Sequence, residues 1–494
     1  MSPSIFLALS LLLLLLGLAP TAPAQTSAPA AVEAASALEA RIERIAHGLL
    51  PFVRVKGAPP HIMTLAERME RYKVPGVSIA VIHDSRIDWA RGFGVARVDG
   101  APVTPPTLFQ AGSISKPVAA MGALKMVEQG RLSLDADVNR YLTSWRIPEN
   151  EFTRDKKVTL RGLLTHSAGL TVHGFPGYAA TETVPTLAQV LNGVKPANTA
   201  PIRVDGVPGT WRYSGGGFTV MQQLMVDVAR RPFPDLMREL VLEPLAMGDS
   251  TYRQPLPPEF LAHAATPYYQ NLRAVPGGPH VYPEMAAAGL WTTASDLARF
   301  VHAVQDGLAG TRNPVLSQAM LREMTRRQVE NWGLGLGVDG EGDSASFAHN
   351  GIDAGFDAFL HGYVRGGNGV VVLCNANGAG ALANEIRRAV AREYGWPTFQ
   401  QEERTTVVVA PEVLRRYAGT YDVGQRKLVV RATQGTLSIT SEDLEIELFA
   451  STPNRFFGVD QGTWYEFAPA APGGMELTVT PGRGGAARKG KRIN

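Results

Sequence analysis

The chain has 494 residues, enough to bury more than one hydrophobic core, so at least two domains are expected. Its formal net charge is only +3, and five basic residues (Arg483, Arg488, Lys489, Lys491, Arg492) sit among the last fourteen positions without an acid, so the remaining body is close to neutral. That balance gives no reason to invoke nucleic acid, and a single cysteine, Cys374, excludes an intrachain disulfide and a thiolate metal cluster.

Residues 1–24 read as a secretory signal: Ile5 to Leu18 is apolar but short for a bilayer span, and Ala22-Pro23-Ala24 offers a small-residue cleavage site before Gln25. No Lys or Arg precedes the run, so a retained anchor is the alternative. With cleavage, a periplasmic or secreted protein without stable membrane insertion is expected; its oligomeric state is left open. Residues 25–60 form an N-terminal helical segment, with Leu38, Ile42, Ile45 and Leu49 on one stripe and Gly57-Ala-Pro-Pro as punctuation.

A large domain follows over residues 61–398. Val77–Ile82 and Ile87–Val95 read as strands around the polar turn His83 to Arg86. Ser113-Ile-Ser-Lys116-Pro117 then opens a stretch with the apolar density of a buried helix, reaching Gly130. Tyr213 lies at a Gly-rich turn, Tyr213-Ser-Gly215-Gly-Gly, that leads into another apolar helix. Phe356–Val364 and Gly369–Cys374 form a second hairpin, and Ala381–Tyr394 reads as a closing helix. Strands at both ends with helices between predict one antiparallel sheet assembled from the two ends of the domain. Residues 399–407 are assigned as a linker. Seven short strand-like runs between residues 408 and 480 predict a small all-β barrel or sandwich, and residues 481–494 a basic disordered tail.

Ser113 and Lys116 are three apart at a helix start, so an ammonium stands one turn from a hydroxyl on the same face. Alone this spacing is weak, but Tyr213 and the run Phe347-Ala-His349-Asn350-Gly351 follow in order. At this point roughly residues 60 to 395 resemble the class C β-lactamase-like serine hydrolases, which include DD-peptidases, D-aminopeptidases, esterases and amide hydrolases. Leu163-Leu-Thr-His166-Ser-Ala-Gly169, Glu243-Pro-Leu-Ala-Met and Gly289-Leu-Trp-Thr-Thr-Ala-Ser-Asp296 resemble recurring segments of the same family. The resemblance implies an α+β, β-lactamase/transpeptidase-like fold: an antiparallel sheet flanked by helices, plus a helical subdomain carrying the serine. The C-terminal strands resemble the lipocalin-like domain of some relatives, with packing partner or gate a better expectation than independent ligand binding.

Cleaving an amide or ester needs a nucleophile, a proton acceptor and donors for the oxyanion. Ser113 is the candidate nucleophile and Lys116 shares a proton with Tyr213, where a close ammonium favours the phenolate. By resemblance the oxyanion donors are the backbone N–H groups of Ser113 and Ile352, the residue after Gly351. Two departures bear on substrate. Gly215 stands where β-lactamases and many peptidases carry asparagine, which weakens the case for dedicated β-lactam hydrolysis. His349 replaces lysine in the third motif, and an imidazole titrating near pH 6.5 would aid a substrate carboxylate less as pH rises.

Other signals are weaker. Gly335-x-Gly337-x-x-Gly340 lacks a βαβ context and reads as a loop. His166 and His173 lack metal-ligand spacing, Thr165-His-Ser167-Ala-Gly169 fails the nucleophile-elbow pattern, and Asp296 reads as a helix cap. The expectation is an exported serine hydrolase, with no metal or cofactor, acting on a small-molecule or peptide amide or ester, D-aminopeptidase- or esterase-like rather than penicillinase. A β-lactamase or DD-carboxypeptidase is the enzymatic alternative; a penicillin-binding-like sensor with little turnover is the other.

Overall fold

The computed structural model describes residues 28–493 apart from 312, 425, 434, 442, 443, 472 and 483. The proposed signal, residues 1–24, lies outside them. The first described element is the helix Ala28–Ala46; it stops short of Leu49, which bridges to Met63 instead. Among the described residues no helix is long and apolar enough to cross a membrane.

The large domain is built on a six-stranded antiparallel sheet. Its order is Arg86–Gly94, Gly76–His83, Gly369–Cys374, Phe356–Tyr363, Ser346–Asp353 and Gly337–Asp339. The two central strands from the far end of the domain, Phe356–Tyr363 and Gly369–Cys374, are buried throughout, and Gly76–His83 is buried except at its last residue. Such continuous Val/Ile/Leu runs, as in Val370-Val-Val-Leu, are what a sheet covered on both faces requires. The helix Ala294–Ala309 lies on one face, and Gly380–Tyr394 packs beside Leu65–Tyr72. Helices Ser115–Glu128, Leu160–Leu164, Leu187–Asn192 and Gly215–Ala229 make the helical subdomain, whose side chains share one core with the sheet. The predicted antiparallel sheet from both ends is what the chain forms.

After this domain an eight-stranded antiparallel barrel runs from Gly419–Val423 to Arg488–Arg492. The helix Pro411–Tyr417 contributes Leu414 and Tyr417 to its core, where the Tyr417 and Phe467 rings stack 4.5 Å apart. Two expectations are corrected here. The basic tail carries the eighth strand: Lys491 pairs with both Asp422 and Glu476, so it is the tail that closes the barrel. Lys489 and Lys491 face outward, and on the strand's other face Gly490 is buried, where a Cβ would meet the Asp422 carbonyl at 2.1 Å. Nor is the linker unstructured: Glu402–Arg404 pairs in parallel with Val53–Val55, a strand inside the segment expected to be helical.

The barrel is joined to the large domain by a buried ionic cluster. Arg68 meets both oxygens of Glu385 at 2.6 and 2.8 Å, the Tyr72 hydroxyl at 2.5 Å and Asp460 of the barrel at 2.8 Å. Arg71, one turn on, reaches the other Asp460 oxygen at 3.0 Å. Arg404 adds a second joint, its guanidinium 4.0 Å from the centre of the Trp464 ring.

Candidate active site

Gly112 turns the chain with φ +51°, a conformation that costs glycine little. Gly112–Ile114 is a single 3-10 turn that runs directly into the helix Ser115–Glu128. Ser115 locks this entry: its hydroxyl donates to the Gly112 carbonyl at 2.6 Å and accepts from the Leu290 N–H at 2.9 Å. The sequence reading passed over Ser115, whose small polar side chain between two candidate catalytic residues was the available signal.

Lys116 is buried with the helix, and its Nζ donates to Ser113 Oγ at 2.7 Å and to the Ala287 carbonyl at 2.8 Å. The Ala287 carbonyl comes from the short helix Met285–Ala288, which packs on both the Ser113 turn and Gly215–Ala229. A buried ammonium held by a hydroxyl and a carbonyl, with no carboxylate among its hydrogen-bond partners, can raise the acidity of what it touches.

Tyr213 stands at the start of the helix Gly215–Ala229, whose cap is Ser214; the Ser214 hydroxyl accepts from the Gly217 N–H at 3.0 Å. Lys116 Nζ lies 5.1 Å from the centre of the Tyr213 ring. Among the described residues the Tyr213 hydroxyl makes no hydrogen bond to Ser113 or Lys116, a separation that substrate commonly closes in unliganded sites. Around the ring stand His166 at 4.1 Å, His173 at 4.9 Å and Trp332 at 6.0 Å. The Ser214 N–H donates to His166 Nδ1 at 3.1 Å, which makes His166 a neutral acceptor that fixes the turn after Tyr213. Burial, and then the charge of Lys116, hold this imidazole well below its ordinary range.

The strand Ser346–Asp353 brings the third motif in. Gly351 packs against the serine turn so closely that a Cβ would meet the Ala111 carbonyl at 1.9 Å and the Ser113 nitrogen at 2.9 Å. From the other side a Cβ on Gly112 would meet the Ile352 nitrogen at 2.5 Å. The Ser113 turn and the Gly351–Ile352 stretch are therefore packed backbone against backbone. The Ile352 side chain itself projects outward, 69% exposed.

His349 behaves differently from expectation. It is buried on the same strand, its Nδ1 donates to the Asn350 carbonyl at 2.6 Å, and among the described residues Nε2 has no hydrogen-bond partner. Burial, then the nearby Lys116 charge, push its pKa down to about 3. Against the expected titration near pH 6.5, burial and the Lys116 charge both favour the neutral imidazole. Gly215 also has a physical reason. A Cβ there would meet the Phe175 ring at 3.0 Å and the His173 carbonyl at 3.1 Å, so an aromatic edge lies beside the place of the family's asparagine. Phe175 and Trp332 lie in loops whose sequence gave no sign of the site. Asp296 is not the cap, which is Thr293; its buried carboxylate accepts from the Asp249 N–H at 3.0 Å and the Ser250 hydroxyl at 2.7 Å.

Two buried acids, Glu284 and Asp353, lie near one another. Glu284 is wholly buried, among the described residues neither of its oxygens is hydrogen-bonded, and burial pushes it up to about 7. Asp353, two residues past Gly351, is raised well above the carboxylate range by burial, against the pull of Lys116. Among the described residues no group of three or more His, Cys, Asp and Glu could hold a metal ion.

The chain is similar to several known proteins. The chain is 28% identical over 198 residues to an unguisins hydrolase of Aspergillus campestris, covering 38% of this chain and 34% of that protein. It is 27% identical over 317 residues to the esterase EstB of Burkholderia gladioli, covering 57% of this chain and 75% of that one. The chain thus spans about a third of the first relative and three quarters of the second. Among solved structures, the octameric penicillin-binding protein homologue from Pyrococcus abyssi shares the fold with TM-score 0.60 at 21% identity, over 86% of this chain and 98% of that one. The model of the β-lactamase family matches residues 63–394, and the chain belongs to that family of serine hydrolases.

Proposed function

We propose that this chain hydrolyses small esters or amides, D-amino-acid amides included, through an acyl-enzyme on Ser113. Ser113 Oγ attacks the carbonyl carbon while its proton passes to the Tyr213–Lys116 pair. The carbonyl oxygen, now an anion, is held by the N–H groups of Ser113 and Ile352. Collapse breaks the bond to the leaving group, which takes the proton back, and water then releases the acid by the same route. The observation that carries this reading is the 2.7 Å contact of the buried Lys116 ammonium with Ser113 Oγ.

The substrate side favours apolar groups over an acylamino-bearing β-lactam. Gly215 offers no amide, Phe175 lies where one would project, and neutral His349 gives no cation for a carboxylate. A panel of p-nitrophenyl esters, D-amino-acid amides, nitrocefin and D-Ala-D-Ala peptides tests the ranking: esters or amides are expected to turn over faster than nitrocefin. A cephalosporin efficiency far above every ester and amide would reverse it. A fluorophosphonate should label Ser113 alone; labelling at Ser167 or Ser214 would remove the assignment. We further propose that the chain works outside the cytoplasm, which fractionation of cells expressing it would test.

A further inference from the structure

Ten non-glycine residues among those described take a positive φ, and one of them, Val172 at +65°, has a branched Cβ. In the left-handed region that branch crowds the neighbouring carbonyl, so a valine stays there only where its surroundings hold it. Val172 is the middle of a strap, Thr171 to His173, whose first residue is fixed from behind. The Thr171 N–H donates to the Arg203 carbonyl at 2.9 Å. Its hydroxyl donates to the Pro201 carbonyl at 3.1 Å and accepts from the Arg203 N–H at 3.0 Å.

On its other side the strap holds the start of the helix Gly215–Ala229. A helix leaves its first N–H groups without partners of its own. Here the Gly215 N–H donates to the His173 carbonyl and the Gly216 N–H to the Val172 carbonyl, both at 3.0 Å. The Ser214 hydroxyl, which accepts from Gly217, donates to the Thr171 carbonyl at 2.8 Å. In an extended segment successive carbonyls point to opposite sides. The left-handed turn at Val172 brings those of Thr171 and Val172 round to one side, so Ser214 Oγ lies 2.8 Å from the first and 3.4 Å from the second. The approach is close: a Cβ on Gly216 would meet the Thr171 carbonyl at 2.6 Å.

We propose that Val172 is a positioning residue for the reaction at Ser113: its left-handed backbone folds the strap onto Ser214–Gly216, and the strap thereby sets where the Tyr213 phenol stands. This rests on Tyr213 acting in proton transfer. The role lies in the backbone, so substitutions sort by the φ they allow. Glycine takes a positive φ freely, and proline, locked near −65°, cannot take it at all.

Turnover of a p-nitrophenyl ester by the full chain and its Val172→Gly, Val172→Pro and Tyr213→Phe variants tests this. Val172→Pro should lower kcat about 10²-fold or more, toward the Tyr213→Phe value, with KM within about twofold of wild type. Val172→Gly, which keeps the turn, should stay within a few-fold of wild type. Should Val172→Pro lack the wild-type circular dichroism spectrum, Ser214→Ala carries the comparison. It cuts the hydroxyl link to Thr171 and should lower kcat about tenfold at unchanged KM, the scale of one hydrogen bond. Normal kcat in a folded Val172→Pro, or in Ser214→Ala where it stands in, would overturn the proposal. So would a Val172→Gly as slow as Val172→Pro, or a rise in KM alone. Normal turnover in Tyr213→Phe would remove the proton-transfer reading and this one with it, whereas a slow Tyr213→Phe beside a normal Val172→Pro would remove only the role of Val172.

Discussion

Two buried clusters of charge, one under the barrel and one around Ser113, are built on opposite rules. At the barrel, Arg68 meets both oxygens of Glu385 and one of Asp460, with its donors and their acceptors matched at 2.5–2.8 Å. In the site, Lys116 touches a hydroxyl and a carbonyl, while His166 and His349 beside it are kept neutral. The first cluster spends its charge on structure. The second leaves a cation uncompensated, which is the condition for stabilising an anion that appears only during reaction. Burial alone does not separate the two; the partner set does.

Breaking the reactive cluster should show the largest effect. Ser113→Ala is expected to abolish ester turnover, and Lys116→Ala to lower the acylation rate about 10²–10⁴-fold, with little change in melting temperature. Stopped-flow acylation by a p-nitrophenyl ester measures both. Near-normal acylation in Lys116→Ala would mean the ammonium is structural, like Arg68.

Breaking the structural cluster should do the reverse. Glu385→Ala leaves Arg68 buried beside one remaining acid and should cost about 3–5 kcal/mol of stability in urea unfolding. Turnover per folded molecule should stay near normal. A rate loss larger than the stability loss would tie the barrel joint to the chemistry.

Glu284 sharpens the comparison, because it is a buried acid with no cation to match it. Its folded value of about 7 lies above the ordinary 4.5, so its contribution is complete below pH 4.5 and lost as pH rises to about 7. The wild type should therefore lose up to about 3 kcal/mol between those values. Glu284→Gln should remove that part of the slope, read as the difference in unfolding free energy at pH 5 and pH 8. Identical slopes would show that Glu284 is ionised in the folded chain.

The smallest effect belongs to His349. Held near 3, it is neutral from pH 5 to 8, so no inflection of kcat/KM in that window should disappear in His349→Gln. An inflection near 6.5 that the substitution abolishes would restore the titrating role read from the sequence.

How much of this was legible depends on whether a residue speaks through its neighbours in the chain. Ser113, Lys116 and Tyr213 sit in local patterns, a helix start and a Gly-rich turn, and the apolar runs of the sheet strands are continuous, so both were readable. The eighth barrel strand was not: Arg488–Arg492 has no apolar alternation, and it pairs because two strands supply backbone partners on either side. Phe175 and Trp332 act through contacts with segments distant in sequence, as Ser115 does in accepting from the Leu290 N–H. For His349 the motif pointed to its place on the strand beside the serine turn, but not to its burial, which comes from the whole strand and lowers its pKa.

The pairing of Val53–Val55 with Glu402–Arg404 bears on how the chain comes to be made. Arg54 and its ion-pair partner Glu403 are 349 residues apart, and everything from the sheet to the site lies between them. On a ribosome working from the N-terminus, the first strand emerges without a mate and waits until the whole catalytic domain has been synthesised. Its edge stays open throughout that interval. The clip can close only once the whole catalytic domain has been synthesised, so it seals a domain already made.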